Sequence, residues 1–272
     1  MQPFARFPQK APQPGAFLHL RFQQRRRSLP FFFIFALLSL PLIATGRSAT
    51  GDAVRHVLDG DSVILSDQRE VRLIGINAPE FGKDGQPDEA LAAAARDRLR
   101  DVTAGKVVRL VLEEEQRDHY GRWLAHLVLS DGKSVEEILL KEGLAAAIAI
   151  PPNVAQIVSH QAAEAQARQA RRGLWGHSYY LPIAAESVSP AHSGFRFVRG
   201  RVTHVGRSKK YLYLDMGAHF ALRIAHADWQ QYFHGRPEDW RGVLLVARGW
   251  ISAQNGRLRM GIGHPAMLER LP

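Results

Sequence analysis

Three short β-branched segments near residue 60 constrain the fold of this chain more than any other feature of its sequence. They read AVRHVLDG at 53–60, SVILSD at 62–67 and REVRLIGI at 69–76, and turn residues bound each of them. This pattern predicts three strands in a meander. Two further strand-like segments, KVVRLVLE at 106–113 and RWLAHLVLS at 122–130, follow later. The sequence therefore predicts a sheet of five short strands.

Helical segments separate and follow these strands. Residues 86–103 open with Pro87 and acidic side chains and are rich in Ala, Leu and Arg, as is typical of a helix. A second helix is predicted at SVEEILLKEGL, with Ser134 and Glu137 spaced as a capping box. A third is predicted from about Asn153 to Arg172. Five strands and three helices favour an α+β fold in which the helices pack against a small β-barrel.

Charge divides the chain into unlike parts. Residues 1–50 hold seven basic and no acidic side chains, residues 51–194 have a net charge of −5, and residues 195–272 have a net charge of +8. The segment LPIAAESVSPAHSG at 181–194 has two prolines and no apolar periodicity, which is typical of a linker. We therefore expect four parts: a leader at 1–46, a first domain at 51–180, a linker at 181–194, and a basic, mainly-β domain at 195–272.

The leader resembles a secretory signal. Arg25, Arg26 and Arg27 precede an apolar stretch of 14 residues from Phe31 to Ala44. That stretch is shorter than the roughly 20 residues of a comfortable membrane span, and a basic run before a short apolar run is typical of a signal peptide. We expect export to the periplasm or medium. The alternative is that residues 29–44 stay uncleaved and anchor the protein to a membrane.

The stretch VLDGDSVIL places Asp59 and Asp61 on either side of one glycine. Two carboxylates so close repel each other more strongly as they become buried, so a positive group should lie beside them. The chain has no cysteine, which excludes a thiolate metal site. A hard divalent cation fits this pair of carboxylates, although a plain Asp-Gly turn between strands is a common alternative.

Two later motifs supply complementary groups. In EVRLIGINAPEFG, Arg72 interrupts an apolar strand and Glu80 follows a proline, and in DHYGRWLAHL, Arg122 begins a strand. A buried guanidinium is costly unless it meets an anion. A carboxylate base, planar donors for phosphate and a metal are the parts needed to hydrolyse a phosphodiester. The alternative for each arginine is an ion pair with local acids.

Together these motifs resemble the staphylococcal nuclease (thermonuclease) family. VLDGDS, VRLIGINAPE and DHYGRWLAHL occur in order, with a helix between the second and third, and the resemblance runs from about Val54 to Trp175. It implies an OB-type five-stranded barrel with three helices. It also implies a calcium-dependent phosphodiesterase that acts on DNA and RNA, with other divalent ions possible.

The resemblance also implies residue roles. Arg72, Glu80 and Arg122 match the catalytic positions of the family. There the glutamate is assigned to water activation, and the arginines bind phosphate and stabilise the charge that develops at phosphorus.

The implied metal ligands depart from the family pattern at one position. Asp61 matches a direct ligand, Asp59 lies close to the ion and its waters, and Ala78 matches a ligating backbone carbonyl. Asn77 stands where the family usually has a second ligand aspartate, so weaker metal binding is expected.

The substrate-binding positions differ as well. His119 replaces a lysine that approaches a phosphate, Tyr120 is a substrate-binding candidate, and a stacking tyrosine near AAIAIPPN has no counterpart here.

The basic C-terminal segment resembles, less specifically, a small OB-like β-domain appended to some bacterial nucleases. Its basic residues alternate with Tyr211, Tyr213, Phe220 and Trp250, a composition suited to phosphate attraction and base stacking. A packing module with a solvated basic face is the alternative.

The function predicted from the sequence is therefore an exported, calcium-dependent nuclease that binds DNA or RNA as a monomer. The alternative is a catalytically weak or inactive nuclease-like nucleic-acid-binding protein. A carrier of oligosaccharide or protein would not explain Arg72 and Glu80.

Overall fold

The computed structural model describes residues 52–82, 85–254 and 256–272. The predicted signal peptide or anchor lies outside these residues. Within the described part of the chain, no helix combines the length and the apolar character needed to cross a bilayer.

The first region contains a closed barrel of five strands. The barrel order is β1-β2-β3-β6-β5, with β3 parallel to β6 and the other pairs antiparallel. Two further short strands, β4 and β7, pair with each other. The bounds are β1 Asp52–Val57, β2 Ser62–Leu65, β3 Glu70–Leu73, β4 Ile76–Asn77, β5 Val107–Arg117, β6 Trp123–Leu129 and β7 Ala146–Ala147.

Three helices pack on this barrel: α1 at Ala92–Thr103, α2 at Val135–Glu142 and α3 at Ile157–Gln169. Ser134 caps α2 as expected, because its side chain accepts the N–H of Glu137. The predicted α+β fold with a five-stranded barrel and three helices is confirmed.

Helices α1 and α3 are shorter than predicted. Helix α1 begins at Ala92 and not at 86, because Leu91 has a φ of 72° and the preceding loop is tied back through Glu89 N–H to the carbonyl of Glu80. Helix α3 begins at Ile157 because the side chain of Asn153 bonds the backbone of Glu115 at 2.9 and 2.7 Å. Both N-terminal segments serve as loops beside the cleft described below.

The second region repeats the strand order of the first. Its sheet runs β10-β11-β12-β14-β13-β9-β8, and β15 also pairs with β13. Here β12 is parallel to β14, as β3 is to β6, and α4 lies between the third strand and the last two. The bounds are β8 Ile183–Ala184, β9 Gly194–Arg201, β10 His204–Arg207, β11 Tyr211–Asp215, β12 Phe220–Ala225, α4 His226–Tyr232, β13 Leu244–Gln254, β14 Arg257–Gly261 and β15 Leu268–Arg270.

Strands β9 and β10 together act as the bent first strand of an OB-like unit. Only Val202 and Thr203 separate them. The N–H of Val202 donates to the carbonyl of Val243, next to β13, and the N–H of Thr203 donates to the carbonyl of Asp215 on β11, so the two residues bond to different neighbouring strands. The expected second, mainly-β region is thus present, and its connectivity is that of an OB-type barrel.

The barrel of the first region has its own hydrophobic core, and a second core joins part of the first region to the second. Ala146, Ile148 and Leu174 of the first region belong to the same buried cluster as Phe197 and Leu245 of the second. Residues 181–194, expected as a linker, contain β8 and short 3-10 turns, and β8 pairs with β9. The division into separate domains stays a prediction, whereas the packing shows that the second sheet docks on the first.

A buried ion pair fixes this docking. Arg248 of β13 donates from Nη1 to both carboxylate oxygens of Glu164 on α3, at 2.8 and 2.7 Å, and to the carbonyl of Ala147 at 3.1 Å. Both side chains are less than a tenth exposed. A buried pair is stable only with such multiple bonds, so the contact orients β13 specifically.

Candidate active site

One cavity of about 890 Å³ at the edge of the barrel brings together the charged residues predicted from three separate motifs. Asp59, Asp61, Arg72, Glu80 and Arg122 all line it. Its position beside the ends of β2, β3 and β6 follows from the barrel order, which makes these strands neighbours.

The Asp-Gly-Asp turn joins β1 to β2. Asp59 Oδ1 accepts the N–H of Asp61 at 3.0 Å, which holds the first carboxylate within the turn. A Cβ on Gly60 would lie 2.5 Å from the Cβ of Ala78 and 2.6 Å from that of Ala95. The glycine therefore allows α1 and the segment after β4 to approach both carboxylates.

Asp61 is a buried carboxylate with several donors. Its Oδ2 accepts from the N–H of Ala78 at 2.7 Å and forms an ion pair with Arg72 Nη1 at 2.9 Å. Burial nevertheless raises the pKa of Asp61 to about 7, and the nearby charge of Asp59 adds to this, while Arg72 acts in the opposite direction. The positive charge of Arg72 therefore does not fully offset the burial of Asp61 and its repulsion by Asp59.

Arg72 lies on the cavity floor with its guanidinium held by backbone and side-chain acceptors. Besides Asp61, Nη1 donates to the carbonyls of Leu73 at 2.8 Å and Ile76 at 3.3 Å, and Nη2 donates to Asn77 Oδ1 at 3.4 Å. These bonds fix the planar group in one orientation, which suits the binding of an anion that enters the cavity.

Asn77 and Ala78 are buried and do not line the cavity. Asn77 Nδ2 donates to the carbonyl of Ala78 at 3.3 Å, so the two predicted ligand groups contact each other. The structure therefore places them beneath the acidic pair. Their role as metal ligands stays a prediction.

Glu80 is exposed at the cavity rim. Its backbone is tied to Glu89, whose N–H donates to the Glu80 carbonyl at 2.9 Å and whose Oε2 accepts the Glu80 N–H at 3.1 Å. Within the described ranges, no hydrogen bond or ion pair engages its carboxylate. This acid is therefore available to accept a proton from water.

Arg122 lies on the wall formed by the β5–β6 turn. Its Nε donates to Asp118 Oδ2 at 2.7 Å, and its guanidinium lies 5.6 Å from the ring centre of Tyr120. Partial burial acts to raise the pKa of Asp118, but its hydrogen bonds with Arg122 outweigh burial and lower that pKa.

His119 and Tyr120 also line the cavity, with ring centres 3.8 Å apart, and Tyr120 is 75% exposed.

An apolar wall of this cavity includes a residue of the second region. Ile148, Ile150 and Trp250 line the cavity together. Trp250 packs edge to face on Phe195, with centroids 5.1 Å apart, and remains 37% exposed. The sequence predicted Trp250 as a stacking residue. No local pattern indicates, however, that it lies beside catalytic candidates that precede it by more than 100 residues in the chain. Asp118, which orients Arg122, was missed as well.

Four side chains, Tyr211, Tyr213, Arg223 and Arg259, lie on the outer face of the second sheet, on strands near Trp250. Tyr213 of β11 pairs with Arg223 of β12, and Arg223 pairs with Gly261 of β14. Gly261 follows Met260, whose partner on β13 is Ile251, the residue after Trp250. The guanidinium of Arg223 lies 4.8 Å from the ring centre of Tyr211, and that of Arg259 lies 5.1 Å from that of Tyr213. Aromatic and cationic groups thus alternate along this face.

Phe220 does not belong to this face. It was grouped with the stacking aromatics in the sequence, but it is only 2% exposed and packs in the core. The reason is strand alternation, since Phe220 points inward with Leu222 and Ile224 while Arg223 points outward.

The oxygen donors around Asp61 suit a hard divalent cation. Asp59 and Asp61 supply carboxylates and Asn77 supplies an amide oxygen, which are the oxygen ligands that hard divalent cations prefer. The raised pKa of Asp61 marks a carboxylate that additional positive charge would stabilise. The residues present therefore fit the predicted metal.

Comparison with known proteins gives a consistent assignment. The family described as staphylococcal nuclease homologue matches residues 70–177. A thermonuclease of Staphylococcus intermedius is 35% identical over 126 residues, which cover 45% of this chain and 74% of that protein. The chain belongs to the staphylococcal nuclease family.

Other relatives agree. A thermonuclease of Staphylococcus hyicus is 33% identical over 128 residues, covering 46% of this chain and 75% of that protein. Endonuclease YncB of Bacillus subtilis is 34% identical over 141 residues, covering 51% of this chain and 64% of that protein. Nucleases of the staphylococcal nuclease family depend on a metal ion. The matched segment contains Arg72, Glu80 and Arg122, whereas the Asp-Gly-Asp turn precedes it.

Proposed function

We propose that this chain is a calcium-dependent nuclease that hydrolyses phosphodiester bonds of DNA and RNA. The observation that carries the proposal is that one cavity is lined by Glu80, whose carboxylate has no partner among the described residues, by two arginines and by an acidic pair. The family membership and the names of the relatives, thermonuclease and endonuclease, support the same reaction.

The residues have complementary roles in this reaction. Glu80 orients water and accepts its proton as the water oxygen attacks phosphorus. Arg72 and Arg122 donate to the phosphate oxygens, and Arg122 lies near the departing oxygen. Their fixed guanidinium groups stabilise the charge that develops at phosphorus without needing to reorganise. Asp61, Asp59 and Asn77 would hold calcium, which would supply positive charge to stabilise the negative charge that develops on the phosphate.

The role of Glu80 is tested with Glu80→Gln and the matched variant Glu114→Gln. Glu114 is exposed and lies outside the cavity. With single-stranded DNA and calcium, Glu80→Gln is expected to lose about 10²–10⁴-fold in rate, Glu114→Gln to equal the parent, and the parent to stop in excess chelator. Full activity in chelator, or full activity of Glu80→Gln, would contradict the proposal.

A second candidate is a nuclease-like protein with weak or no turnover that binds nucleic acid. Asn77 in place of an acidic ligand supports it, because the amide lacks one negative charge. Tight DNA binding without hydrolysis at saturating calcium would select this candidate.

We propose that the outer face of the second sheet binds the substrate strand beyond the cleft. Tyr211, Tyr213 and Trp250 offer ring faces for stacking, and Arg223 and Arg259 offer charge for phosphates. Three strand spacings separate Tyr213 from Trp250, about 14 Å, which corresponds to a few nucleotides of extended strand. The net charge of +8 over residues 195–272 supports capture of a polyanion.

We propose further that the protein is exported and acts as a monomer. The basic and apolar composition of the leader supports export. Detection of the processed chain outside the cytoplasm would test this, and retention in the membrane fraction would instead favour an anchor at residues 29–44.

A further inference from the structure

Three buried ionisable side chains lie on the other side of the cleft floor and take no part in the proposed reaction. They are His126 on β6, Glu136 on α2 and His160 on α3, and all are less than 5% exposed. Each offers one ligand atom, and these atoms lie within 4.8 Å of one another. None of them lines the catalytic cavity.

His126 has one ring nitrogen without a partner. Its Nε2 lies 2.7 Å from Glu113 Oε1, and because a carboxylate only accepts, Nε2 carries the hydrogen. Its Nδ1 is buried, has no hydrogen-bond partner within the part of the chain that the structure describes, and lies 3.8 Å from Glu136 Oε1. In the neutral ring a lone pair therefore faces a carboxylate, and such an arrangement needs a cation or a proton between them.

Glu136 is a fully buried carboxylate. Its Oε1 accepts the N–H of Leu127 at 2.8 Å and its Oε2 accepts the hydroxyl of Ser134 at 2.7 Å. Burial raises its pKa in spite of these bonds. Each oxygen retains a further lone pair, so the carboxylate is oriented and still able to ligate.

His160 is oriented by the floor of the cleft. Its Nδ1 donates to the carbonyl of Gly75 at 3.2 Å, which leaves the lone pair on Nε2. A Cβ on Gly75 would lie 2.4 Å from this Nδ1, so glycine is required at this position. Burial lowers the pKa of His160 to about 4, and the ring is therefore uncharged at neutral pH.

We propose that His126, Glu136 and His160 bind a zinc ion. Two imidazoles and one carboxylate are a donor set that zinc accepts in tetrahedral sites with an open fourth position. Glu113 and the Gly75 carbonyl hold the outer ring nitrogens, as carboxylates and carbonyls do for zinc-bound histidines. Because no two of these atoms are more than 4.8 Å apart, each has to move inward by at most about 0.7 Å to reach zinc bond lengths.

A second cavity provides access for this ion. It has a volume of about 480 Å³ and is lined by both histidines, together with Lys133, Lys141 and Arg109. Water or an anion from this cavity can fill the fourth position. Because His160 bonds the carbonyl of Gly75, which also lines the catalytic cavity, the ion would stabilise the cleft floor from behind.

The competing occupant is a proton. A protonated His126 would donate to Glu113 through Nε2 and attract Glu136 through Nδ1, with no metal. Metal uptake by the purified full-length chain distinguishes the two occupants. A zinc site binds one tight equivalent of zinc at His126 and His160, whereas a site occupied by a proton binds none.

The experiment strips the full-length chain of metal and adds zinc alone, then cobalt(II) alone, at neutral pH. We expect one tight zinc equivalent, a zinc-dependent rise in Tm, and cobalt absorption bands of tetrahedral nitrogen and oxygen ligation. His160→Gln should lose the tight equivalent and the Tm rise, while His264→Gln, altered in the second region, should keep both.

Two further variants keep the test decisive if His160→Gln does not fold. Glu113→Gln retains all three ligands and should weaken zinc affinity about 10–100-fold, and Asp61→Asn, in the catalytic cavity, should leave it unchanged. Absence of a tight zinc equivalent in the parent, its retention at parent affinity in a folded His160→Gln, or an unchanged zinc affinity in Glu113→Gln would overturn the proposal. Loss of the equivalent in Asp61→Asn would also overturn it, because the ion would then belong to the cleft.

Discussion

The two β-regions have the same strand order but differ in the charged and aromatic groups that they expose. In both, three antiparallel strands precede a helix and two more strands, and the third strand is parallel to the fifth. The first region places Asp59, Asp61 and Glu80 at its cavity, whereas the second exposes arginines and tyrosines on its outer face. The backbone topology therefore does not determine the chemistry, which depends on the turn and outward-facing residues.

The largest expected effect concerns the first region alone. Arg72→Lys keeps a positive charge but loses the planar fork that Asp61, Leu73 and Ile76 hold in place. We expect a fall of about 10²–10³-fold in kcat with folding retained. Arg55→Lys, an exposed change on β1, is the matched control. Steady-state kinetics on single-stranded DNA would contradict this prediction if Arg72→Lys retained the parent rate.

The second prediction breaks the contact between the regions. Arg248→Met leaves the buried Glu164 with only the longer ion pair to the partly exposed Arg168 at 3.9 Å, which costs about 3–5 kcal/mol in the free energy of unfolding. Denaturant unfolding measures the loss, and Arg241→Met, an exposed change near the same strand, should have little effect.

A double variant separates charge from packing at this contact. Glu164→Gln combined with Arg248→Met should recover part of the stability, because the uncompensated charge is removed. If Arg248→Met alone matches the parent, the ion pair does not hold the second sheet on the first.

The third prediction tests whether the second region contributes to the cleft. Trp250→Ala removes the ring beside Ile148 and Ile150. We expect a loss of about 1–3 kcal/mol in binding single-stranded DNA, seen as a raised KM with a smaller change in kcat. Leu181→Ala removes an exposed apolar side chain outside the cavity and should change neither. An unchanged KM for Trp250→Ala would reduce its role to packing on Phe195.

The smallest effect sharpens the account of the metal. Asn77→Asp adds a negative charge beside Arg72 and near Asp61. We expect tighter calcium binding, measured as a lower calcium concentration for half-maximal rate, and no required change in the maximal rate. Unchanged or weaker apparent affinity would argue against Asn77 as a ligand.

Local patterns in the sequence predicted the first region well. The β-branched segments and the residues Asp61, Arg72, Glu80 and Arg122 belong to short motifs, and chain order brings those motifs to one edge of the barrel. Helix starts were less predictable, because Leu91 adopts a left-handed conformation and Asn153 bonds Glu115 instead of capping α3.

Long-range contacts were not visible in the sequence. Trp250 lines the cleft two residues after Arg248, which bonds Glu164 of α3 and the carbonyl of Ala147 on β7. The proposed zinc ligands His126, Glu136 and His160 come from three elements and follow no ligand spacing in the sequence. Phe220 was misassigned because composition alone does not reveal which way a strand residue faces.

The most direct test of this division of labour measures hydrolysis of a dinucleotide and of long single-stranded DNA by the parent and by Trp250→Ala/Tyr213→Ala, with calcium present at low salt. The account predicts equal dinucleotide rates for both proteins and, on long DNA, a KM raised by about 10-fold or more in the double variant, a difference that shrinks as salt is added. Equal KM values on long DNA, or no calcium-dependent hydrolysis of either substrate by the parent, would contradict it.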